Sequence, residues 1–164
     1  MPLFNREEWH NLICNKMIVD TKKEGFLIST DKAKIDVTAV HHFLSTLSYW
    51  SQNIPFDIVN KSIENSLCFG VFEENKQIGF ARIITDYATF AYLCDVYILP
   101  EYRGKGLSKW LMEVIMNTAE LKVLRSWLLA TTSAHELYKK FGWDNVKNPE
   151  RLMEIKTPNI YKNL

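Results

Sequence analysis

Apolar residues recur along this chain with a helical period at the N-terminus, a strand-like period in the middle and a helical period again after residue 106. In residues 5–17, Trp9, Leu12, Ile13 and Met17 fall at helical spacing behind Asn5, with Glu8 three positions on, which predicts a short capped helix. The run from Phe26 to Thr30 reads as a strand, followed by the turn-prone residues Asp31 to Lys34. Val40, Phe43, Leu44 and Leu47 then line one face of a helix expected to reach about Trp50. Pro55 suits the first turn of a second helix, whose stripe of Ile58, Val59, Ser62 and Ile63 ends near Asn65.

Three strand-like runs follow: Leu67 to Phe72, Gln77 to Thr85 and Phe90 to Leu99. Their short links, Glu73 to Lys76 and Asp86 to Thr89, predict an antiparallel meander, and the third run is apolar on both faces, as a central strand would be. Leu107, Trp110, Leu111, Val114 and Ile115 restore the helical period behind Gly106. Val123 to Ala130 reads as a buried strand that, after a crossover helix, should run parallel to Phe90–Leu99. Ser133-Ala-His-Glu136 matches a capping box, Leu137 and Phe141 give the helix behind it a buried face, and Gly142 ends it. A last strand is expected near Arg151 to Lys156. With no repeat, low-complexity tract or linker, residues 1–164 read as one domain, its core at about 26–156 and an extension at 1–25.

Composition narrows the chemistry. Of 164 residues, 47% are hydrophobic and 24% charged, the balance of a soluble globular domain. A formal net charge of +1 provides no broad basic field, so neither nucleic acid nor a membrane surface is an expected partner. Cys14, Cys68 and Cys94 are far apart and odd in number, the pattern of reduced core thiols; no metal site is expected. The N-terminus carries acids where a signal peptide needs apolar residues, and a cytoplasmic protein is expected. Apolar residues between Trp143 and Ile160 could support a homodimer.

The segment between the central strand and the helix at 107 carries the most specific signal. Arg103, Gly104, Lys105, Gly106, Leu107 and Ser108 combine glycines, cationic side chains and a helix N-terminus, an arrangement suited to a pyrophosphate, although a plain strand-to-helix turn would also use those glycines. The spacing is neither that of a P-loop nor that of a dinucleotide fold. Val96-Tyr-Ile-Leu-Pro-Glu-Tyr-Arg-Gly-Lys-Gly-Leu-Ser-Lys109 resembles motif A of the GNAT superfamily of N-acetyltransferases, with Ser108 where that motif ordinarily has glycine or alanine. The resemblance covers roughly residues 26–156 and is strongest from Phe69 to Trp143. It implies an α/β (α+β) acyl-CoA N-acyltransferase fold, a mixed and mostly antiparallel sheet flanked by helices. It further implies acetyl-CoA as acetyl donor, held by the loop backbone at its pyrophosphate and by Val96, Tyr97 and Ile98 along its pantetheine arm.

Within the same resemblance, Leu137-Tyr-Lys-Lys-Phe-Gly142 places Tyr138 as the acid that protonates the leaving thiolate; the other reading is an amphipathic tyrosine at a helix edge. Ser133 stands where the family often contacts pantetheine, and its capping-box role accounts for it equally well. Asp95, the only charge in the most apolar strand, is either a base made stronger by burial or a carboxylate satisfied by a neighbouring basic group. Asp86 is a second candidate, though it reads more simply as a turn former. Tyr49, Trp50 and Phe56 could wall an acceptor pocket or be core, and His41 and His42 read as packing or surface residues. The implied activity is acetyl transfer to an amine, a small molecule or else a protein or peptide; a non-catalytic acyl-CoA sensing domain is the alternative from a different class.

Overall fold

The computed structural model describes residues 18–162, so the helix expected over 5–17 and Cys14 lie outside the described residues. Six strands form one sheet in chain order, β1 (Asp20–Lys23), β2 (Phe26–Ser29), β3 (Leu67–Glu73), β4 (Lys76–Thr85), β5 (Phe90–Ile98) and β6 (Ser126–Leu129). Every neighbouring pair is antiparallel except β5 and β6, which run parallel across the intervening helix, as a strand–helix–strand crossover requires. The first strand was not foreseen. It lies in the stretch read as an extension, and its sequence, Asp-Thr-Lys-Lys, has no apolar alternation to reveal it.

Helices cover both faces. On one side lie α1 (Val37–His42), which continues as a π-helical turn over Phe43–Leu47, and α2 (Phe56–Glu64). Val40, Phe43, Leu44, Val59 and Ile63 pack there against Cys68, Phe80 and Tyr97, with the Phe43 and Tyr97 rings stacked 3.6 Å apart. On the other side, α3 (Leu107–Asn117) and the short α4 (His135–Lys139) enclose Phe69, Val71, Ile83, Leu93, Leu111 and Ile115. Asp36 starts α1 by accepting from the Ala39 amide at 2.9 Å, and Pro55 stands just ahead of α2. The first of these helices stops short of Trp50: its last turn closes with the Ser48 amide on the Phe43 carbonyl.

A β-bulge interrupts the pairing of β4 and β5. Phe80 faces Tyr97 and Arg82 faces Cys94, so the single residue Ala81 opposes two, Asp95 and Val96. The extra residue reverses the alternation of β5: Leu93 packs with α3 and α4, whereas Tyr97, an even number of positions on, packs with α1 and α2. Asp95 takes the strain, with φ at +53°.

Three expectations fail at the C-terminal side. The strand foreseen at Val123–Ala130 is real only over Ser126–Leu129 and is half-buried, because it is the sheet's edge and Val123 is exposed. No strand forms at Arg151–Lys156; Arg151 ends a 3-10 turn (Pro149–Arg151) and the residues after it lie exposed, Ile155 completely so. The capping box at Ser133 does not form either: Ser133 is exposed, the Ala134 amide donates instead to Thr131 Oγ1 at 3.1 Å, and Glu136 pairs with Lys139 at 3.0 Å. Thr131 holds the turn ahead of the helix without capping it, so no side chain caps the helix, and the i, i+3 charge pair removes the glutamate from the box.

Candidate active site

The parallel pair β5 and β6 opens a split in the sheet. Pairing runs from Phe90 with Ser126 to Leu93 with Leu129 and then stops, while β5 continues to Ile98 with only β4 beside it. Backbone groups on the β6 side of Cys94 to Ile98 therefore border a gap instead of a strand. The bulge at Asp95–Val96 turns the strand at the point where the gap begins.

At the far end of β5, the 3-10 turn Pro100–Tyr102 leads into the glycine loop. Gly104 and Gly106 have φ of +82° and +79°, and nothing lies within 4 Å of where a side chain would start on either, so the loop backbone is open to approach. Gly106 is the N-cap of α3 and supplies no side-chain acceptor; the Trp110 amide is the first in the helix to find its carbonyl. The N–H groups of Leu107, Ser108 and Lys109 are thus the free, positive end of an eleven-residue helix. A groove of about 360 Å³ is lined by Ile98, Arg103, Gly104, Gly106, Ser108 and Leu137. Arg103 is anchored by its Nε, which donates to the Ile98 carbonyl at 3.2 Å. Lys105 turns elsewhere, its ammonium 5.0 Å from the centre of the Tyr102 ring. Arg103 and the backbone, not Lys105, face this groove.

Tyr138 lies on α4, packed edge-on against Trp143 and only 8% exposed. Burial, with a smaller push from nearby Tyr49, moves its hydroxyl up to about 12. Ser133 is on the exposed loop ahead of it. Tyr49 and Trp50 come from the loop after α1 and reach across the end of the split. The Tyr49 hydroxyl meets Thr132 Oγ1 at 2.7 Å, and Trp50 Nε1 donates to Asp95 Oδ1 at 3.1 Å. Tyr49 and Trp50, edge-on to each other at 5.0 Å and 62% and 42% exposed, form an outer aromatic wall, not core; Phe56, 44% exposed, packs on His41 instead.

Asp95 is the carboxylate with a basic neighbour: Arg82 Nε donates to its Oδ2 at 2.7 Å, both side chains being largely buried. Burial is the largest single influence and works against the Arg82 charge, but Asp95 and smaller pushes from Cys94 and Cys68 together raise the guanidinium above its ordinary value. Arg82 also donates to Ser66 Oγ at 3.1 Å. Sequence reasoning missed Arg82, although a lone basic residue in one apolar strand and a lone acid in the next was the available signal. Asp86 is a turn former, its Oδ1 accepting from the amides of Ala88, Thr89 and Phe90 and its Oδ2 from the Thr89 hydroxyl; these bonds hold it below the usual carboxylate range. His41 Nε2 donates to the Ile54 carbonyl at 3.1 Å and its ring packs edge-on against Phe56, while His42 is exposed. Among the described residues there is no cluster of three or more His, Cys, Asp or Glu placed to hold a metal ion, and no helix long and apolar enough to cross a membrane.

A mixed sheet split between its parallel strands, with an open helix N-terminus at the end of the split, is the architecture of the acyl-CoA N-acyltransferase class. Residues 37–143 match the family model described as acetyltransferase (GNAT) family, and the chain belongs to that family. A Gibberella zeae protein named an acetyltransferase is 33% identical over 135 residues, spanning 70% of this chain and 76% of its own. The crystal structure of a GNAT-family acetyltransferase from Xanthomonas campestris is 44% identical, with a TM-score of 0.82 over 85% of this chain and 99% of that one. An acetyltransferase from Clostridium acetobutylicum, solved with acetyl-CoA, shares the fold at 17% identity, with a TM-score of 0.59 over 80% of this chain and 94% of its own.

Proposed function

We propose that the chain moves the acetyl group of acetyl-CoA to the amine of a small molecule by direct attack in a ternary complex. The observation that carries this is the placement of the split along β5 between an open anion-binding loop at one end and Tyr138, Asp95 and the aromatic wall at the other. The fit to acetyl-CoA rests on the free amides at 107–109, the unobstructed backbone of Gly104 and Gly106, and the unpaired edge of Val96, Tyr97 and Ile98, which suits an extended amide-bearing arm. Bound there, acetyl-CoA supplies an activated thioester carbonyl.

The residues divide the remaining work. A backbone N–H on the side of β5 that faces the split polarises the carbonyl oxygen; that of Tyr97 does not, because the register that sends the Leu99 amide to the Ile78 carbonyl turns it toward Phe80 of β4. Tyr138, its hydroxyl pushed up to about 12, stays protonated through neutral pH and gives its proton to the departing sulfur. Asp95 keeps lone pairs beyond those used by Arg82 and Trp50, enough to orient an ammonium and accept its proton through water. Ser133, on the exposed loop ahead of α4, contributes a hydroxyl contact to the arm.

Calorimetric titration with acetyl-CoA, using coenzyme A and ATP as controls, tests the binding half: saturable binding of acetyl-CoA but not ATP is expected, and none at all would overturn the reading. Tyr138→Phe tests the chemistry. Turnover, followed by free thiol release, should fall about 10-fold to 1000-fold with acetyl-CoA affinity unchanged. Binding without turnover for any amine, in the parent chain as in the variant, would favour the sensing domain instead.

A further inference from the structure

The face of the sheet that carries Asp95 is only partly covered by helices. Ile83 on β4, Leu93 on β5 and Leu129 on β6 pack with α3 and α4. Ile84, Tyr92 and Leu128, one position away on each strand, therefore point to the opposite face, that of α1 and α2. Register sets the three in one row across three strands, Ile84 paired with Tyr92 and Tyr92 with Leu128. None of them belongs to the apolar core under α1 and α2; Ile84 is 46% exposed, and Tyr92 and Leu128 are half-buried. The row is an apolar shelf left open on the sheet.

This shelf adjoins the acceptor end of the split. Tyr92 stands two residues along β5 from Cys94, which pairs with Arg82, so the row lies about 7 Å from the one that carries the Arg82–Asp95 ion pair. Trp50 caps that ion pair through Asp95 Oδ1, and the Tyr49 hydroxyl ties the same loop to Thr132 just beyond β6. Burial, the largest influence on it, raises the Tyr92 hydroxyl above its ordinary value, in keeping with a surface poor in water. Of the charges that reach this hydroxyl, Arg82 and Asp95 neutralise each other, and Glu154 is exposed and screened by solvent.

Taking acetyl transfer as the activity, we propose that the acceptor is a primary amine with a small apolar body and no second charge, its nitrogen at Asp95 and its body on Ile84, Tyr92 and Leu128, which set the specificity. Because Arg82 already balances Asp95, the site does not hold the amine in its charged, unreactive form as an unpaired carboxylate would. A ring joined to the nitrogen by a short link, or a chain of about five carbons, spans about 7 Å and lays its apolar surface on the shelf. The Tyr49–Thr132 bridge crosses the end of the split and bars a peptide from running through it, which suits a small body.

The test is steady-state kinetics at saturating acetyl-CoA, followed by free thiol release, with phenethylamine, pentylamine, methylamine and diaminobutane. The parent chain should show kcat/KM more than about tenfold higher for phenethylamine and pentylamine than for the other two, mainly through KM. Ile84→Asp, at a half-exposed position, should lower kcat/KM for phenethylamine more than about tenfold and raise it for diaminobutane, with acetyl-CoA affinity in calorimetry unchanged. Equal losses on both amines would assign Ile84 to the fold alone and overturn the proposal. A parent chain that prefers methylamine or diaminobutane would keep the acetyl-transfer reading and overturn this one. A parent chain that binds acetyl-CoA yet acetylates none of the four would overturn both.

Discussion

Arg82 and Asp95 show what a buried ion pair demands of its surroundings. Their side chains are 15% and 9% exposed, so neither charge can rely on water if the other is removed. Arg82→Met should destabilise the protein by about 3–5 kcal/mol, because it leaves the Asp95 carboxylate held only by Trp50, and a urea midpoint will measure it. Replacing both, as Arg82→Met with Asp95→Leu, should recover part of that loss while the left-handed φ of +53° at residue 95 still opposes a branched side chain. A double variant no more stable than the single would show that the backbone, not the charge, dominates. From the sequence, Asp95 stood out as the lone charge of its strand, but its choice between base and ion-pair partner depends on cross-strand register. The bulge that sets this register leaves no mark in residue type. The helix that carries Tyr138 was legible through Leu137 and Phe141, whereas its capping box was misread: no side chain caps it, and the amide just ahead of it goes to Thr131, two residues before Ser133.

At the scale of elements, the loop and α3 form one device. Gly106 must hold φ at +79° and present its backbone to open space, and both needs are met by having no side chain. Aspartate visits the left-handed region more readily than most residues, so Gly106→Asp should cost no more than about 1–2 kcal/mol in stability. It also puts a carboxylate at the helix end proposed to hold a pyrophosphate, and acetyl-CoA affinity should fall more than about tenfold in calorimetry. Unchanged affinity would detach the loop from the cofactor. Gly79 answers a different need: a Cβ there would stand 2.5 Å from Ile98 Cδ1 and 3.0 Å from the Tyr97 carbonyl. Gly79→Ala should therefore cost about 1–3 kcal/mol by overpacking and disturb the β5 backbone beside the split. The sequence made α3, the meander and the parallel crossover legible because each buries one clean face. It concealed β1, whose polar residues sit on an edge, and it exaggerated β6, whose apolar residues lie at an edge beside an open groove.

Across the whole molecule, two cores share one sheet, and the ionisable groups buried between them tie folding to alkaline pH. Burial pushes the thiols of Cys68 and Cys94 up to about 12 from an ordinary 9.0, and the Tyr138 hydroxyl up to about 12 from 10.0; Tyr97 is raised as well. Each of these groups is neutral when protonated, and the folded chain keeps its proton at pH values where the unfolded chain has already released it. The unfolded state therefore binds fewer protons above pH 9, and stability must fall as pH rises. Below about pH 9 these groups contribute no slope. Between 9 and 10 the two cysteines act, and from 10 to 12 the tyrosines join them, each group adding roughly 1 kcal/mol per pH unit where it titrates. A series of denaturant midpoints from pH 7 to 11 should stay level with respect to these groups and then drop with increasing steepness. Tyr138→Phe, which keeps the ring in place and removes the ionising hydroxyl, should flatten the part of the curve above pH 10 while leaving the onset near 9 in place. The same variant bears on catalysis, because a hydroxyl that stays protonated to about 12 cannot be the group that limits the rate below pH 10. Activity of the parent chain should accordingly rise with pH as the acceptor amine becomes neutral, until unfolding driven by the buried thiols overtakes it.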